Sequence, residues 1–184
     1  MLIGLTGRIS AGKGVAIDYF EERGFLHLTF SDAIIDEMKS REIPIERAKI
    51  QDTGNELRNK YGAGIWAVRL LEKMVNGKNY VVDGIRNPGE IYELRKRRDF
   101  YLISIDAPQK QRFERLIKRA KPSDPKTWED FLIIDKRDFG EEDSNGQQVG
   151  KCMELANYNV MNDSNIENFR TKIEDIYGAI LVRG

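Results

Sequence analysis

The first fourteen residues limit what this chain can become more than any others. Leu2-Ile3-Gly4-Leu5-Thr6 is an apolar run that stops at Gly7, and Gly7-Arg8-Ile9-Ser10-Ala11-Gly12-Lys13-Gly14 is a glycine-rich turn that carries a lysine. Four residues separate Gly7 from Gly12-Lys13, the spacing at which backbone N–H groups wrap phosphate oxygens and the lysine reaches the outer ones. Gly7 and Gly12 permit positive φ and close backbone approach, and a helix that begins inside the turn points its anion-favouring N-terminus at the same place. The predicted cradle is therefore Gly7, Ser10, Ala11, Gly12, Lys13, Gly14 and Val15. One position departs from the usual pattern, because Gly14 stands where a Ser or Thr hydroxyl would hold Mg²⁺.

A strand followed by such a turn calls for an α/β arrangement, and the rest of the chain supplies one. Leu2–Thr6, Leu26–Phe30, Tyr80–Asp83, Tyr101–Asp106 and Asn159–Met161 read as five short strands with helical patterns between most of them, which implies a parallel sheet covered on both faces. The first helix carries Val15, Ala16, Tyr19 and Phe20 on one side before Gly24 ends it. Asn87-Pro88-Gly89-Glu90 announces another, with a cap residue, proline at the first helical position and glutamate at the third. The last is predicted to start at Ser164 and to turn Ile166, Phe169, Ile173, Ile176, Tyr177 and Ile180 to the core. A length of 184 residues suits one domain, residues 1–184, with at most a small insertion.

Charge narrows the function classes. Lys+Arg and Asp+Glu number 30 each, so no global field gathers nucleic acid or an anionic membrane. One cysteine, Cys152, and one histidine, His27, supply neither an intrachain disulfide nor a zinc cluster. With no targeting segment and no span-length apolar stretch at the N-terminus, a cytoplasmic location is expected. Locally the charge is segregated: Arg86 to Lys121 holds eleven Lys/Arg against five Asp/Glu, whereas Pro122 to Asn145 holds eight acids against three bases. The acidic stretch reads either as a lid over a site or as a solvated loop.

Several polar residues fall where such a sheet would use them. Ligands of open parallel sheets sit outside the carboxyl ends of strands, where Asp83, ending Tyr80-Val81-Val82, meets the loop that carries Lys13. Asp83 is the candidate to hold Mg²⁺ or to orient an acceptor, and Arg86 follows it. Asp32, just after the second strand, reads as a base or acceptor contact, or as a helix N-cap. Arg112 and Arg115 are explained by a solvated basic helix face, while Arg119 and Arg137 are placed to clamp a transferring phosphoryl group. Arg58, in the long crossover between the second and third strands, reads either as a phosphate fork or as part of an amphipathic surface helix. Arg95-Lys96-Arg97-Arg98 lacks interleaved aromatics and reads as an exposed helix end.

These motifs resemble the small P-loop kinases that phosphorylate nucleotides, a group that includes nucleoside and deoxynucleoside monophosphate kinases and dephospho-CoA kinases. Leu5-Thr6-Gly7 through Gly12-Lys13 is similar to the opening of dephospho-CoA kinases, and Gly12-Lys13-Gly14 to adenylate kinases, where a glycine also follows the lysine. Val82-Asp83-Gly84-Ile85-Arg86 resembles the segment in which an arginine touches the acceptor phosphate, and Ser31-Asp32 with Glu56-Leu57-Arg58 and Tyr61-Gly62 resembles deoxynucleoside monophosphate kinases. The second half, from Asp106-Ala107-Pro108 through Trp128-Glu129-Asp130-Phe131 to Asn162-Asp163, is similar to an archaeal group related to dephospho-CoA kinases. The resemblance implies a P-loop three-layer sandwich with strand order 2-3-1-4-5, an acceptor arm over about residues 32–75 and a lid over about 119–145. It further implies ATP and Mg²⁺ as cofactors, Asn162 and Asp163 as base contacts, Asp32, Arg58 and Arg86 as acceptor contacts, and Lys13, Asp32, Asp83, Arg119 and Arg137 as catalytic residues. A monomer or homodimer acting on a small nucleotide follows. The expected reaction is phosphorylation of a nucleoside or deoxynucleoside monophosphate; dephospho-CoA kinase and a non-catalytic nucleotide-binding module are the alternatives.

Overall fold

The structure is a computed structural model that describes residues 1–120, 124–140 and 146–183, with the backbone but not the side chains of residues 47, 48 and 51. Its centre is a five-stranded parallel sheet in the order β2-β3-β1-β4-β5. The strands are β1 (Leu2–Gly7), β2 (Leu26–Thr29), β3 (Tyr80–Asp83), β4 (Phe100–Asp106) and β5 (Tyr158–Met161), each within a residue or two of its sequence expectation. Every residue of β1 is buried, and its Leu2 lies opposite Tyr80 of β3 on one side and Phe100 of β4 on the other.

Side-chain alternation sorts the strand residues between two cores. Ile3, Leu5, Val81, Ile103 and Ile105 pack with α1 (Lys13–Glu21) and with Phe169, Ile173 and Ile180 of α9 (Ile166–Arg183). Leu2, Val82 and Leu102 face the other way, onto α2 (Phe30–Ser40), α3 (Arg47–Tyr61), α4 (Ile65–Leu71), α5 (Pro88–Leu94) and α8 (Val149–Glu154). The α2–α4 run is the long crossover, and the fully buried Trp66 pins it by donating from Nε1 to the Gly54 carbonyl at 3.1 Å. Asn87 caps α5 as expected, in a complete capping box with Glu90.

Three expectations are corrected. The acidic stretch is not a plain loop, because its centre forms α7 (Trp128–Phe139), capped by the Thr127 hydroxyl on Asp130 N. Fully buried Phe131 packs there against Trp128 and against Phe113 of α6 (Gln109–Arg119). The last helix starts after Asn165, whose side chain accepts from Asn168 N at 2.8 Å, so Ser164 does not cap it and Ile166 is exposed. Asp32 sits in the first turn of α2 and is not its N-cap; Thr29 is. Parts of the expected lid, residues 121–123 with the Lys121-Pro122 charge boundary and residues 141–145, lie outside the described residues.

Candidate active site

The phosphate loop leaves β1 at the middle of the sheet, where neighbouring strands run off to either side. Its backbone takes the conformations that the glycines were expected to permit: φ is 134° at Gly7 and 109° at Gly12, and non-glycine Ser10 also lies in the left-handed region at 56°. A Cβ on Gly7 would stand 1.9 Å from the Ile105 carbonyl oxygen, and one on Gly12 would stand 2.2 Å from Asn162 Nδ2. Both positions therefore exclude side chains. No side chain among the described residues caps α1, and its first turn holds no acid; Val15 N donates to the Gly12 carbonyl at 3.0 Å, which leaves the N–H groups of Lys13 and Gly14 to face an anion. Lys13 folds back across the loop, donating to the carbonyls of Gly7 at 2.9 Å and Arg8 at 3.0 Å. Burial pushes its ammonium below the usual lysine range, Asp83 opposes that, and Arg86 adds to it.

A cavity of about 700 Å³ opens in front of the loop. Gly7, Ser10 and Lys13 line it from the loop between β1 and α1; Asp83, Arg58 and Arg86 line it from β3 and the crossover; Arg119 and Arg137 line it from α6 and α7. Arg58 is buried and reaches fully buried Glu90 through Nη2 at 3.0 Å and Asn55 through Nη1 at 3.3 Å. The other oxygen of Glu90 accepts from the backbone N–H of Arg86 at 2.8 Å and of Asn87 at 3.1 Å. One carboxylate thereby ties the crossover arginine to the loop that carries Arg86. With the Gln147 amide nitrogen donating to Asp138, its oxygen accepts from Arg86 Nη1 at 3.1 Å. Arg119 grips Asp124 in a fork at 2.7 and 2.8 Å, and Arg137 lies 3.7 Å from Asp138.

Two buried polar atoms of this cavity have no hydrogen-bond partner among the described residues, Asp83 Oδ1 and Arg58 Nε. An unsatisfied buried group costs about 1–3 kcal/mol. One orphan accepts and the other donates, a pairing suited to a ligand that brings both a cation or water and an anionic oxygen. Mg²⁺ binds through one or two carboxylates with the substrate phosphates and its own waters. A lone Asp83 beside a phosphate cradle fits that chemistry, and no group of three or more metal-ligating side chains stands among the described residues.

The other expected positions lie elsewhere. Asp32 is exposed and does not line the cavity, whereas its neighbours Phe30 and Ser31 do. Asn162 is 6% exposed and is used by the protein itself: Nδ2 donates to the Ala11 carbonyl at 2.9 Å, and its backbone and side-chain oxygens accept from Arg115. It braces the phosphate loop from behind. Asp163 is exposed and pairs with Lys172 at 2.8 Å. Gly14 faces open space, while Val15 packs towards the α1 side of the core, so neither offers a hydroxyl to the cavity.

The solvated-face reading of Arg112 and Arg115 is overturned. Arg112 is 2% exposed, donates to the Ala107 carbonyl at 3.0 Å, and forks onto Asp135 of α7, one arm at 2.8 Å. Asp135 also accepts from Arg8 of the phosphate loop at 3.0 Å and from Gln109 at 3.1 Å. Burial raises the Asp135 carboxyl, but the Arg112 fork, together with Gln109 and Arg8, outweighs it and holds the group below the usual carboxylate range. Phe131 and Asp135, four apart on one helix face, were the available hint of this buried junction.

The model of the AAA domain family matches residues 3–142, a span that begins inside β1 and includes α7. A UPF0200 protein of Pyrococcus abyssi is 34% identical over 190 residues, covering 98% of this chain and 97% of the relative. The chain belongs to the UPF0200 family. The UPF0200 fold seen here is that of small P-loop kinases. A shikimate kinase from Bacteroides thetaiotaomicron superposes with a TM-score of 0.58 at 14% identity, over 97% of this chain and 98% of that one. A dephospho-CoA kinase from Campylobacter jejuni does so with a TM-score of 0.53 at 16% identity, over 97% and 96%. Among the described residues of the UPF0200 chain, no helix is long and apolar enough to cross a membrane.

Proposed function

We propose that the protein transfers the γ-phosphoryl group of ATP to a nucleoside or deoxynucleoside monophosphate, with Mg²⁺. The observation that carries this reading is the pair of orphaned atoms, Asp83 Oδ1 and Arg58 Nε, on the cavity that the phosphate loop opens into. Lys13 and the loop backbone would hold the donor phosphates, and Arg58 and Arg86 would hold the acceptor phosphate. Arg119 of α6 and Arg137 of α7, which line the same cavity, would hold the transferring phosphoryl group. Asp83 would hold Mg²⁺, which would neutralise charge on the outer donor phosphates when bound. Catalysis of this kind is mainly positioning and electrostatics, for which fixed cations around a water-poor cavity are the required parts.

A phosphate acceptor is preferred to a hydroxyl acceptor on a specific ground. Transfer to a hydroxyl calls for a positioned base, and Asp32, the residue expected to serve, is exposed and off the cavity wall. A monophosphate needs no such base but does need cations, and Arg58 and Arg86 supply two. The test is ADP release across ribo- and deoxynucleoside monophosphates and dephospho-CoA, with and without Mg²⁺. Lys13→Ala is expected to keep the fold and to lose turnover by about a hundredfold or more. Near-normal turnover in that variant, or ATP binding without release of ADP for any acceptor, would sink the assignment.

A further inference from the structure

Arg8 occupies the first variable position of the phosphate loop, and its side chain does not turn to solvent. The guanidinium lies 3.8 Å from the centre of the Phe139 ring and donates from Nη1 to Asp135 at 3.0 Å, so it sits between two α7 residues that line the cavity. Its own carbonyl accepts the Lys13 ammonium at 3.0 Å. The loop thus presents two cations to one space from residues joined by a hydrogen bond.

A plain structural strut would be needed by its partner. Asp135 does not need Arg8: both of its oxygens already accept from Arg112, and Gln109 donates to one of them as well. Arg8 Nε is 3.8 Å from Asp106, beyond hydrogen-bond reach, and among the described residues neither Nε nor Nη2 of Arg8 donates a hydrogen bond. The aromatic ring orients the guanidinium plane without consuming a donor. Phe139 is itself held, because Gly150 of α8 leaves no side chain in its way; a Cβ there would stand 3.0 Å from the ring.

We propose that Arg8 is a catalytic residue that binds the γ-phosphoryl oxygens of ATP, and that Asp135 and Phe139 are the residues that position it. The proposal rests on the kinase reading above. In the transfer, the acceptor phosphate oxygen forms a bond to the γ-phosphorus as the bridging β–γ bond breaks and its electron pair stays on ADP. Arg8 would give hydrogen bonds to the equatorial oxygens throughout and neither gain nor lose a proton. A fork suits such an oxygen pair better than an ammonium.

The test is calorimetric binding of ADP and of a non-hydrolysable ATP analogue to the full chain and to Arg8→Ala, Arg8→Lys and Phe139→Leu, beside the ADP-release assay. Arg8→Ala leaves Asp135 paired with Arg112, so the fold should survive. It is expected to weaken the ATP analogue about tenfold or more, the worth of a hydrogen bond to a charged group, while ADP changes less than about threefold. Arg8→Lys should fall between, and Phe139→Leu should move the same preference by a smaller factor. Equal weakening of both nucleotides, or an unchanged preference for the ATP analogue, would overturn the role of Arg8 even if the enzyme turns over. Conversely, absence of ADP release with every acceptor removes the phosphotransferase while the binding preference still judges Arg8. Failure of the unmodified chain to bind either nucleotide removes both.

Discussion

Gly12→Ala separates a designed cradle from a convenient turn. At φ 109° and ψ 19°, Gly12 holds a left-handed backbone that costs an L-residue about 1–2 kcal/mol. Its added Cβ would stand 2.2 Å from Asn162 Nδ2, which is donating to the Ala11 carbonyl one residue away. Asn162 has nowhere easy to go, because Arg115 holds its oxygens from the other side. Displacing it leaves buried groups unsatisfied, at about 1–3 kcal/mol. The two effects together predict a loss of about 2–5 kcal/mol, which for a chain of this size lowers the melting temperature by about 5–15 °C.

Scanning calorimetry measures this directly, and a double-mutant cycle assigns it. Asn162→Ala removes the obstructing amide, so Gly12→Ala should cost less in that background than alone, with a coupling of about 1 kcal/mol or more. The strain of the backbone stays in both. Additive changes within about 0.5 kcal/mol would refute the steric link between the β5 loop and the phosphate loop. A melting temperature for Gly12→Ala within about 2 °C of the parent would refute the strain argument as well.

Two other outcomes test neighbouring parts of the site. Ser10→Gly relieves a non-glycine residue at φ 56°; with the entropy of glycine working against it, a net gain of up to about 1 kcal/mol is expected in thermal unfolding, and a loss would mean that the Ser10 side chain stabilises the turn. Asp135 has its folded carboxyl lowered, burial being outweighed by Arg112 together with Gln109 and Arg8, so its stabilisation is full above the unfolded value near about 3.9 and is lost as pH falls through the lower folded value. Asp135→Asn should therefore show a shallower acid limb in urea unfolding followed from pH 7 to pH 3. It should also lose up to about 3–5 kcal/mol at pH 7, since buried Arg112 then keeps only Asp106, 3.7 Å from its Nε, as a counter-ion; parallel pH profiles would contradict the pairing.

The fold was readable because a parallel sheet buried on both faces writes its strands as short apolar runs, and Tyr80-Val81-Val82 and Leu102-Ile103-Ser104-Ile105 are such runs ending at Asp83 and Asp106. The start of α5 was readable for a local reason, the capping box at Asn87 and Glu90. What Glu90 also does, holding Arg58 from 32 residues away, leaves no local trace. Arg112 failed for the same reason: Arg112 and Arg115, three apart on a helix, look solvated until Asp135, 23 residues beyond Arg112, is known to face it. Helix α7 was obscured by composition, since a stretch rich in Asp and Pro looks like a loop even when Thr127 caps a buried aromatic face. Helix α8 has six residues and a glycine within it, too little for a periodic signal.

The three glycines of the loop are not equivalent, and the difference bears on how the site handles charge. Gly7 and Gly12 are demanded by what stands beside them, Ile105 and Asn162. Gly14 is demanded by nothing within 4 Å, so sterics do not explain why a hydroxyl is missing there. What the missing hydroxyl leaves behind is a cavity whose orphaned acceptor is a carboxylate oxygen on the neighbouring strand, Asp83 Oδ1. A hydroxyl contributes a dipole, whereas a carboxylate contributes a full charge in a place where Lys13, Arg58, Arg86 and Arg8 already gather. Burial and Arg86 both lower the Lys13 ammonium, and Asp83 is the first group that opposes them. Asp83 therefore acts on Lys13 directly, its charge opposing the burial and the Arg86 charge that lower the ammonium, which a neutral hydroxyl at position 14 could not do.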